Sequence, residues 1–217
     1  MIELVQTPLL DFIYPPFCVA CDADGKWICG HCLENTINQS EPVRIPVGFK
    51  DFFTIGRYSS PVLQRLIRSL KYHSATACLE SVSALLESYI EKHILFRQLL
   101  LTSDLNIYFV PSDELRVRER GIDHTKKLAE VLSGHAPKSR IKNTLIKTRS
   151  ILPNASLPSN AARKGNTADA FSVTERVQGT CLLMDDVYTT GSTMNACKIA
   201  LRRAGAREIY GFTLAIG

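Results

Sequence analysis

No stretch of the sequence approaches the roughly 20 apolar residues that a bilayer span requires. The best candidate, Ile94 to Leu101, is short and interrupted by Arg97 and Gln98, so no transmembrane helix is expected. No basic residue precedes the first apolar stretch, which carries Glu3 and Asp11. A secretory signal is therefore not expected either, and a reducing, cytoplasmic compartment is the default. A strong charge excess is also missing: Lys+Arg 26 against Asp+Glu 21 leaves +5. That balance suits phosphate-bearing ligands but is too small to diagnose nucleic-acid binding. Low complexity is absent as well. With 45% apolar and 22% charged residues over 217, the chain fits one ordinary domain with a small appendage and can bury a core.

Cysteine, by contrast, is plentiful and unevenly placed. Four of the seven fall in two pairs, Cys18-x-x-Cys21 and Cys29-x-x-Cys32, separated by Asp22 to Ile28. Each pair can form a tight knuckle presenting two thiolates, and two knuckles close a tetrahedral Zn²⁺ site with no open coordination position. Such a site is structural. Two disulfides or loose thiols are the alternatives, less suited to a reducing compartment, and His31 can replace one cysteine. Cys78, Cys181 and Cys197 are scattered and read as small core hydrophobes.

The cysteine segment, residues 1–45, ends in a polar, proline-containing stretch, Asn35 to Pro46, that reads as a domain junction before residues 46–217. Beyond it, Phe52 to Tyr58 reads as a strand, and Leu63, Leu66, Ile67 and Leu70 recur on one helix face. A second helix is expected over Thr76 to His93, a strand over Ile107 to Val110 and a helix over Thr125 to Ser133. Ile141 to Lys147 reads as a strand, Thr180 to Met184 as another, Thr193 to Ala204 as a helix and Glu208 to Ile216 as the closing strand. The polar segment Thr148 to Phe171 lacks periodicity and reads as a functional loop. This alternation predicts an α/β fold with a mainly parallel sheet flanked by helices.

The richest chemistry lies in Cys181-Leu-Leu-Met184-Asp185-Asp186-Val187-Tyr188-Thr189-Thr190-Gly191-Ser192-Thr193. Buried apolar residues lead into two carboxylates and a small, hydroxyl-rich turn. At the carboxyl end of a parallel strand such a turn aims backbone N–H groups and a helix N-terminus at one spot, where an anion is favoured. Asp185 and Asp186 would repel phosphate and suit ribose hydroxyls instead. Tyr188 is placed either to stack on a base or to pack. Upstream, Leu115-Arg116-Val117-Arg118-Glu119-Arg120-Gly121 reads as an arginine-rich loop able to meet pyrophosphate oxygens, or as a charged surface loop. Lys71 is either a helix C-terminal cation or a phosphate contact. Lys138, Arg140, Lys142, Lys147 and Arg149 form a run that reads as a contact for single-stranded DNA or as a solvated face.

The segment from Met184 to Thr193 resembles the 5-phosphoribosyl pyrophosphate (PRPP) loop of type I phosphoribosyltransferases. Joined to the two cysteine pairs, it is similar to the ComF family, which combines an N-terminal zinc module with a phosphoribosyltransferase domain and is associated with DNA uptake in bacterial competence. Tyr58-x-x-Pro61, Leu66-Ile67, Leu70-Lys71-Tyr72, Arg118-Glu119-Arg120-Gly121, Arg163, Asn166, Ala170-Phe171 and Ala200 to Arg207 carry the resemblance further. It implies that Asp185 and Asp186 hold the ribose 2′- and 3′-hydroxyls, that Val187 to Thr193 hold the 5′-phosphate, and that Arg118, Arg120 and Gly121 form the pyrophosphate side, with Mg²⁺ accompanying PRPP. After Arg-Gly the family usually has Phe-Asn-Gln; here Ile122-Asp123-His124 puts an acid and an imidazole there. The expected partners are PRPP or a phosphoribosylated nucleotide, with single-stranded DNA and a helicase-like competence protein as further partners. No hood for an acceptor base is expected after the closing strand. Two function classes follow from the resemblance: a phosphoribosyltransferase, or a non-catalytic protein that handles single-stranded DNA and docks a partner on the same fold.

Overall fold

Short apolar strand runs between amphipathic helices require a sheet covered on both faces, and the chain adopts that arrangement. The computed structural model describes residues 17–39, 44–72, 75–148 and 170–217. In chain order the elements are α1 (Gly30–Asn38), β1 (Phe52–Arg57), α2 (Pro61–Tyr72), α3 (Ala75–Lys92), α4 (Ile94–Thr102), β2 (Leu105–Phe109), α5 (Glu114–Arg120), α6 (His124–Gly134), β3 (Ser139–Lys142), β4 (Leu145–Lys147), β5 (Phe171–Val173), β6 (Thr180–Tyr188), α7 (Ser192–Arg203) and β7 (Glu208–Ile216). Five strands form one sheet in the order β1-β7-β6-β2-β3, every neighbouring pair parallel. The mainly parallel α/β class read from the sequence is the class observed.

Strand β6 sits at the middle of the sheet, and its side chains alternate between faces as a period of two demands. Leu182 and Met184 join the apolar cluster built with α2, α3 and α6, whereas Cys181 and Leu183 join the cluster under α7. Leu63, Leu66, Ile67 and Leu70 are all buried, as their spacing requires. Cys78, Cys181 and Cys197 are buried too. The cysteine segment is not set apart from this core: Ile28, Cys32 and Ile37 belong to the same cluster as Leu63 and Leu85. Arg65 Nη1 donates to the Val19 carbonyl at 2.6 Å, and Lys92 Nζ donates to Asn38 Oδ1, fastening the segment at two further points.

Four local expectations are corrected. The strand expected over Ile141 to Lys147 is two strands. Lys142 is the last residue in register with β2, after which the chain leaves the sheet and β4 pairs antiparallel with β5. Period-two alternation continues across the break, so it does not reveal the change of partner. A helix absent from the sequence reading, α4, buries Phe96, Leu99 and Leu100 and exposes Ile94, Leu95 and Leu101. Its apolar residues point both ways, which hides the helical period. The arginine-rich loop is helical: Asp113 caps α5 by accepting from the Leu115 N–H at 3.2 Å, and Gly121 ends it in the left-handed conformation. Finally, β6 runs on through both acids to Tyr188, because β7 continues to pair with it as far as Ile216. Most of the segment Thr148 to Phe171, with Arg149, Arg163 and Asn166, lies outside the described residues.

Candidate functional site

Asp185 and Asp186 are consecutive residues of β6, and their carboxyl groups lie close enough to interact. Asp186 is buried on the α2/α6 face, where Lys71 Nζ forms an ion pair with its Oδ2 and His124 Nε2 stands 3.7 Å from the same oxygen. Lys71 comes from the last turn of α2 and His124 from the first turn of α6. Lys71 is thus an Asp186 partner, a role its position at a helix C-terminus does not reveal. The backbone adds local support: the Asp186 N–H donates to Asp185 Oδ1 and the Val187 N–H to Asp186 Oδ1, both at 2.9 Å.

Asp185 faces α7. Burial, then the charge of Asp186, pushes its carboxyl well above the ordinary aspartate range, against the opposing pull of Lys71. The sign of the consequence is definite. A folded state that binds this proton more tightly than the unfolded chain has the group's full stabilisation below the ordinary aspartate range and loses it as pH rises through the folded value. Asp185→Asn, which cannot ionise, is expected to raise the thermal midpoint of the ligand-free protein above that pH window and leave it unchanged below. Thermal unfolding across a pH series measures this, and a variant destabilised equally at every pH would contradict it.

Beyond the acids the chain makes the turn that the sequence singles out. Thr189 and Thr190 are exposed, Gly191 is left-handed at φ 72°, and α7 begins at Ser192. The Asn195 N–H donates to the Gly191 carbonyl at 2.8 Å as the first bond of the helix, which leaves the preceding amides of Ser192, Thr193 and Met194 outside the helical ladder. Thr190 Oγ1 and Ser192 Oγ lie 3.0 Å apart, two hydroxyls beside those amides. This is the donor-rich geometry that suits an anion. Tyr188 packs edge-on against Phe52 with ring centroids 5.0 Å apart, and a Cβ at Gly191 would fall 2.1 Å from its hydroxyl. The ring therefore supports the turn from below and is engaged in packing.

Arg118 is exposed on α5, and among the described residues no hydrogen bond or ion pair joins it to the Asp185–Thr193 segment; the side chain of Arg120 lies outside what is described. Gly121 closes α5. Asp123, the acid where the family usually has an amide, is the N-cap of α6. Its Oδ1 accepts from Thr125 N–H at 3.1 Å, Lys126 N–H at 3.2 Å and Ser112 Oγ at 2.9 Å. A cap of this kind is worth about 1 kcal/mol, and it explains the acid without any anion contact. In the basic run, Lys142 pairs with Glu175 at 3.0 Å and Lys147 with Asp113 at 2.9 Å, while Lys138 and Arg140 are exposed.

The sulfurs of Cys18, Cys21, Cys29 and Cys32 all lie within 4.8 Å of one another, and Cys21 Sγ to Cys29 Sγ is 3.6 Å. Four thiolates at about 2.3 Å from one ion place neighbouring sulfurs about 3.8 Å apart, so the set fits a single tetrahedral metal ion. It is too wide for disulfides, whose S–S bond is about 2.05 Å. Two different knuckles make it. The first is a turn in which the Cys18 N–H donates to the Ala23 carbonyl at 2.8 Å and the Asp22 N–H to the Cys18 carbonyl at 2.9 Å. The second is the start of α1, with Cys29 at its N-cap and Cys32 in its first turn. Burial pushes the Cys18 thiol up, but the N–H groups of Cys29, Ala20 and Cys21 outweigh it and bring the thiol down to about 6. Burial and the neighbouring sulfurs push Cys32 up. A divalent cation is what lets all four carry charge together. His31 is turned to Asn35, its Nε2 lying 3.0 Å from Asn35 Nδ2, so the sulfurs make the set.

No family model matches the chain. Competence protein F from Haemophilus influenzae (strain ATCC 51907 / DSM 11121 / KW20 / Rd) is 28% identical over 204 residues, covering 92% of this chain and 84% of that protein. The chain is thus similar to Competence protein F over most of both lengths. A solved structure of the allosteric regulatory enzyme of purine biosynthesis aligns with 21% identity and a TM-score of 0.35 over 55% of this chain, which spans only 23% of that structure. Among the described residues no helix is long and apolar enough to cross a membrane.

Proposed function

We propose that this ComF-like chain binds PRPP, or the ribose 5-phosphate end of a nucleotide, at the carboxyl end of β6. It holds a structural Zn²⁺ in the four-cysteine centre and acts in competence-associated DNA uptake or nucleotide handling. The observation that carries the reading is the turn from Tyr188 to Ser192: a left-handed glycine feeds α7, so that its first amides, with the Ser192 N–H on Thr190 Oγ1, and the paired hydroxyls of Thr190 and Ser192 gather just after two strand-borne acids. The phosphate end is taken by Thr189 to Thr193 and the ribose hydroxyls by Asp185 and Asp186, with Lys71 compensating the charge of Asp186. The likeness to Competence protein F supports the place in competence.

As a phosphoribosyltransferase the chain would position PRPP so that the bond from C1 to pyrophosphate breaks, the electron pair leaving with the diphosphate, as an acceptor attacks C1. Arg118 and Arg120 serve the departing anion, and Mg²⁺ supplies further charge neutralisation when bound. The rival reading, a non-catalytic protein that handles single-stranded DNA, has in its favour the exposed Lys138 and Arg140 at the edge strand β3. Two other cations of that run are already paired.

Calorimetric titration of the zinc-loaded protein with PRPP and Mg²⁺, beside Asp185→Asn and Asp186→Asn, tests the site. Binding by the intact chain and a loss of about tenfold or more in each variant are expected, the scale of one charge-assisted hydrogen bond. Absence of binding by the intact chain overturns the ribose-phosphate reading. Pyrophosphate release with candidate bases then separates a transferase from a binder, and DNA affinity that falls steeply with salt identifies the rival.

A further inference from the structure

A second polar site lies at the other end of the sheet. A groove of about 410 Å³ runs along β2 and β3 beside the segment that leads into β6, lined by Asp104, Asn106, Arg140, Lys142, Glu175 and Arg176, with Tyr108 beneath it. Register places these side chains together: Asn106 pairs with Arg140 and Tyr108 with Lys142, so all four lie on one face of the sheet. Tyr108 is 1% exposed and forms a closed floor. Asn106 and Arg140 are in register with Cys181, about 13 Å before Asp185 along β6, whereas Tyr108 and Lys142 at the inner end are in register with Leu183, about 7 Å before it.

The charges of this groove are not balanced internally. Glu175 is taken by Lys142 at 3.0 Å and by Thr144 Oγ1 at 3.2 Å, and the hydrogen bond from Lys142 holds its carboxyl below the usual range. Asn106 Nδ2 is spent on the Gln178 carbonyl at 2.8 Å. Arg140 and Arg176 are both exposed, and neither has a hydrogen-bond or ion-pair partner among the described residues; nor does Asp104. Two open guanidiniums suit a phosphate dianion, which they can meet bidentately. One open carboxylate suits hydroxyl or amine donors carried by the same ligand. The volume lies within the range of small-molecule sites, about 300–1,000 Å³.

We propose that this groove is a second ligand site, which takes a nucleoside monophosphate with its phosphate on Arg140 and Arg176 and its donor groups on Asp104. The assignment stands independently of the PRPP reading. Its test is titration of the full zinc-loaded chain with AMP, UMP, ribose 5-phosphate and inorganic phosphate, in parallel with Arg140→Gln/Arg176→Gln and Asp185→Asn/Asp186→Asn. Saturable AMP or UMP binding should survive the acid pair and weaken about tenfold or more in the arginine pair, with circular dichroism unchanged in both. Asp104→Asn should weaken the nucleotides and leave inorganic phosphate unaffected. Binding abolished by the acid pair and untouched by the arginine pair would assign the ligand to the β6 site and overturn the proposal. It is equally overturned if inorganic phosphate binds as well as AMP, or if a short oligo-dT binds more tightly than either nucleotide.

Discussion

Removing the metal from the four-cysteine centre, by a chelator or by Cys32→Ser, is expected to lower stability more than any other single change considered. Apparent binding free energies of structural Zn²⁺ in small cysteine modules are about 10–16 kcal/mol near neutral pH, and that binding is coupled to folding. Here the centre is built into the main core. Cys18 and Cys32 are buried, and Ile28 and Ile37 pack in the cluster that also holds Leu63, Leu66 and Leu85. Without the ion, four sulfurs lie within 4.8 Å of one another, where burial and the neighbouring sulfurs oppose ionisation of Cys32 beside the Cys18 thiolate. Loosening α1 then uncovers the faces of α2 and α3 against which it packs. The expected result is one Zn²⁺ per chain in the intact protein, and a chelated or Cys32→Ser protein that unfolds at a much lower temperature. Metal analysis with calorimetric unfolding measures both. An unchanged midpoint after complete removal of metal would show that apolar packing alone holds the module.

Gly191→Ala should disable the β6 site with a smaller effect on the fold. Two independent costs meet at this position. The residue sits at φ 72°, and a left-handed residue with a Cβ costs about 1–2 kcal/mol. The added methyl would also lie 2.1 Å from the Tyr188 hydroxyl and 2.3 Å from its ring, so the aromatic must leave Phe52 or the turn must open. Either movement displaces the amides of Ser192 to Met194 from the convergence on which phosphate binding depends. PRPP affinity should therefore fall about a hundredfold, as expected when several hydrogen bonds to a charged group are lost together, while urea unfolding shows a loss of about 1–3 kcal/mol. A double-mutant cycle with Tyr188→Ala separates the two costs, because removing the ring relieves the clash and leaves the backbone strain. Wild-type PRPP affinity in Gly191→Ala would sink this account of the turn.

Several features of the molecule were legible residue by residue. The helix face of Leu63, Leu66, Ile67 and Leu70 and the closing strand Glu208 to Ile216 follow from local periodicity, and both appear as read. The two Cys-x-x-Cys pairs are legible for the same reason, since the spacing within a knuckle is a local constraint and the sulfurs do converge. Where partners change without a change of pattern, the reading fails. Ile141 to Lys147 alternates smoothly although the chain exchanges β2 for β5 at its middle. Ile94 to Thr102 is apolar on both sides of a helix and so shows no period.

The functional region divides along the same line. Sequence by itself determined the α/β class, the four-cysteine cluster and the two acids followed by a hydroxyl-rich turn before α7, because each depends on residues a few positions apart whose geometry the backbone sets directly. Only the tertiary structure decided what surrounds them. It carried β6 through both Asp185 and Asp186, and it brought Lys71 and His124 to Asp186 from the ends of two helices distant in sequence. It turned Asp123 into a helix cap and set Arg140 beside Arg176 across an open groove. Contacts of this kind depend on strand order and helix docking, which arise from burying apolar faces over the whole chain and leave no spacing in the sequence to read.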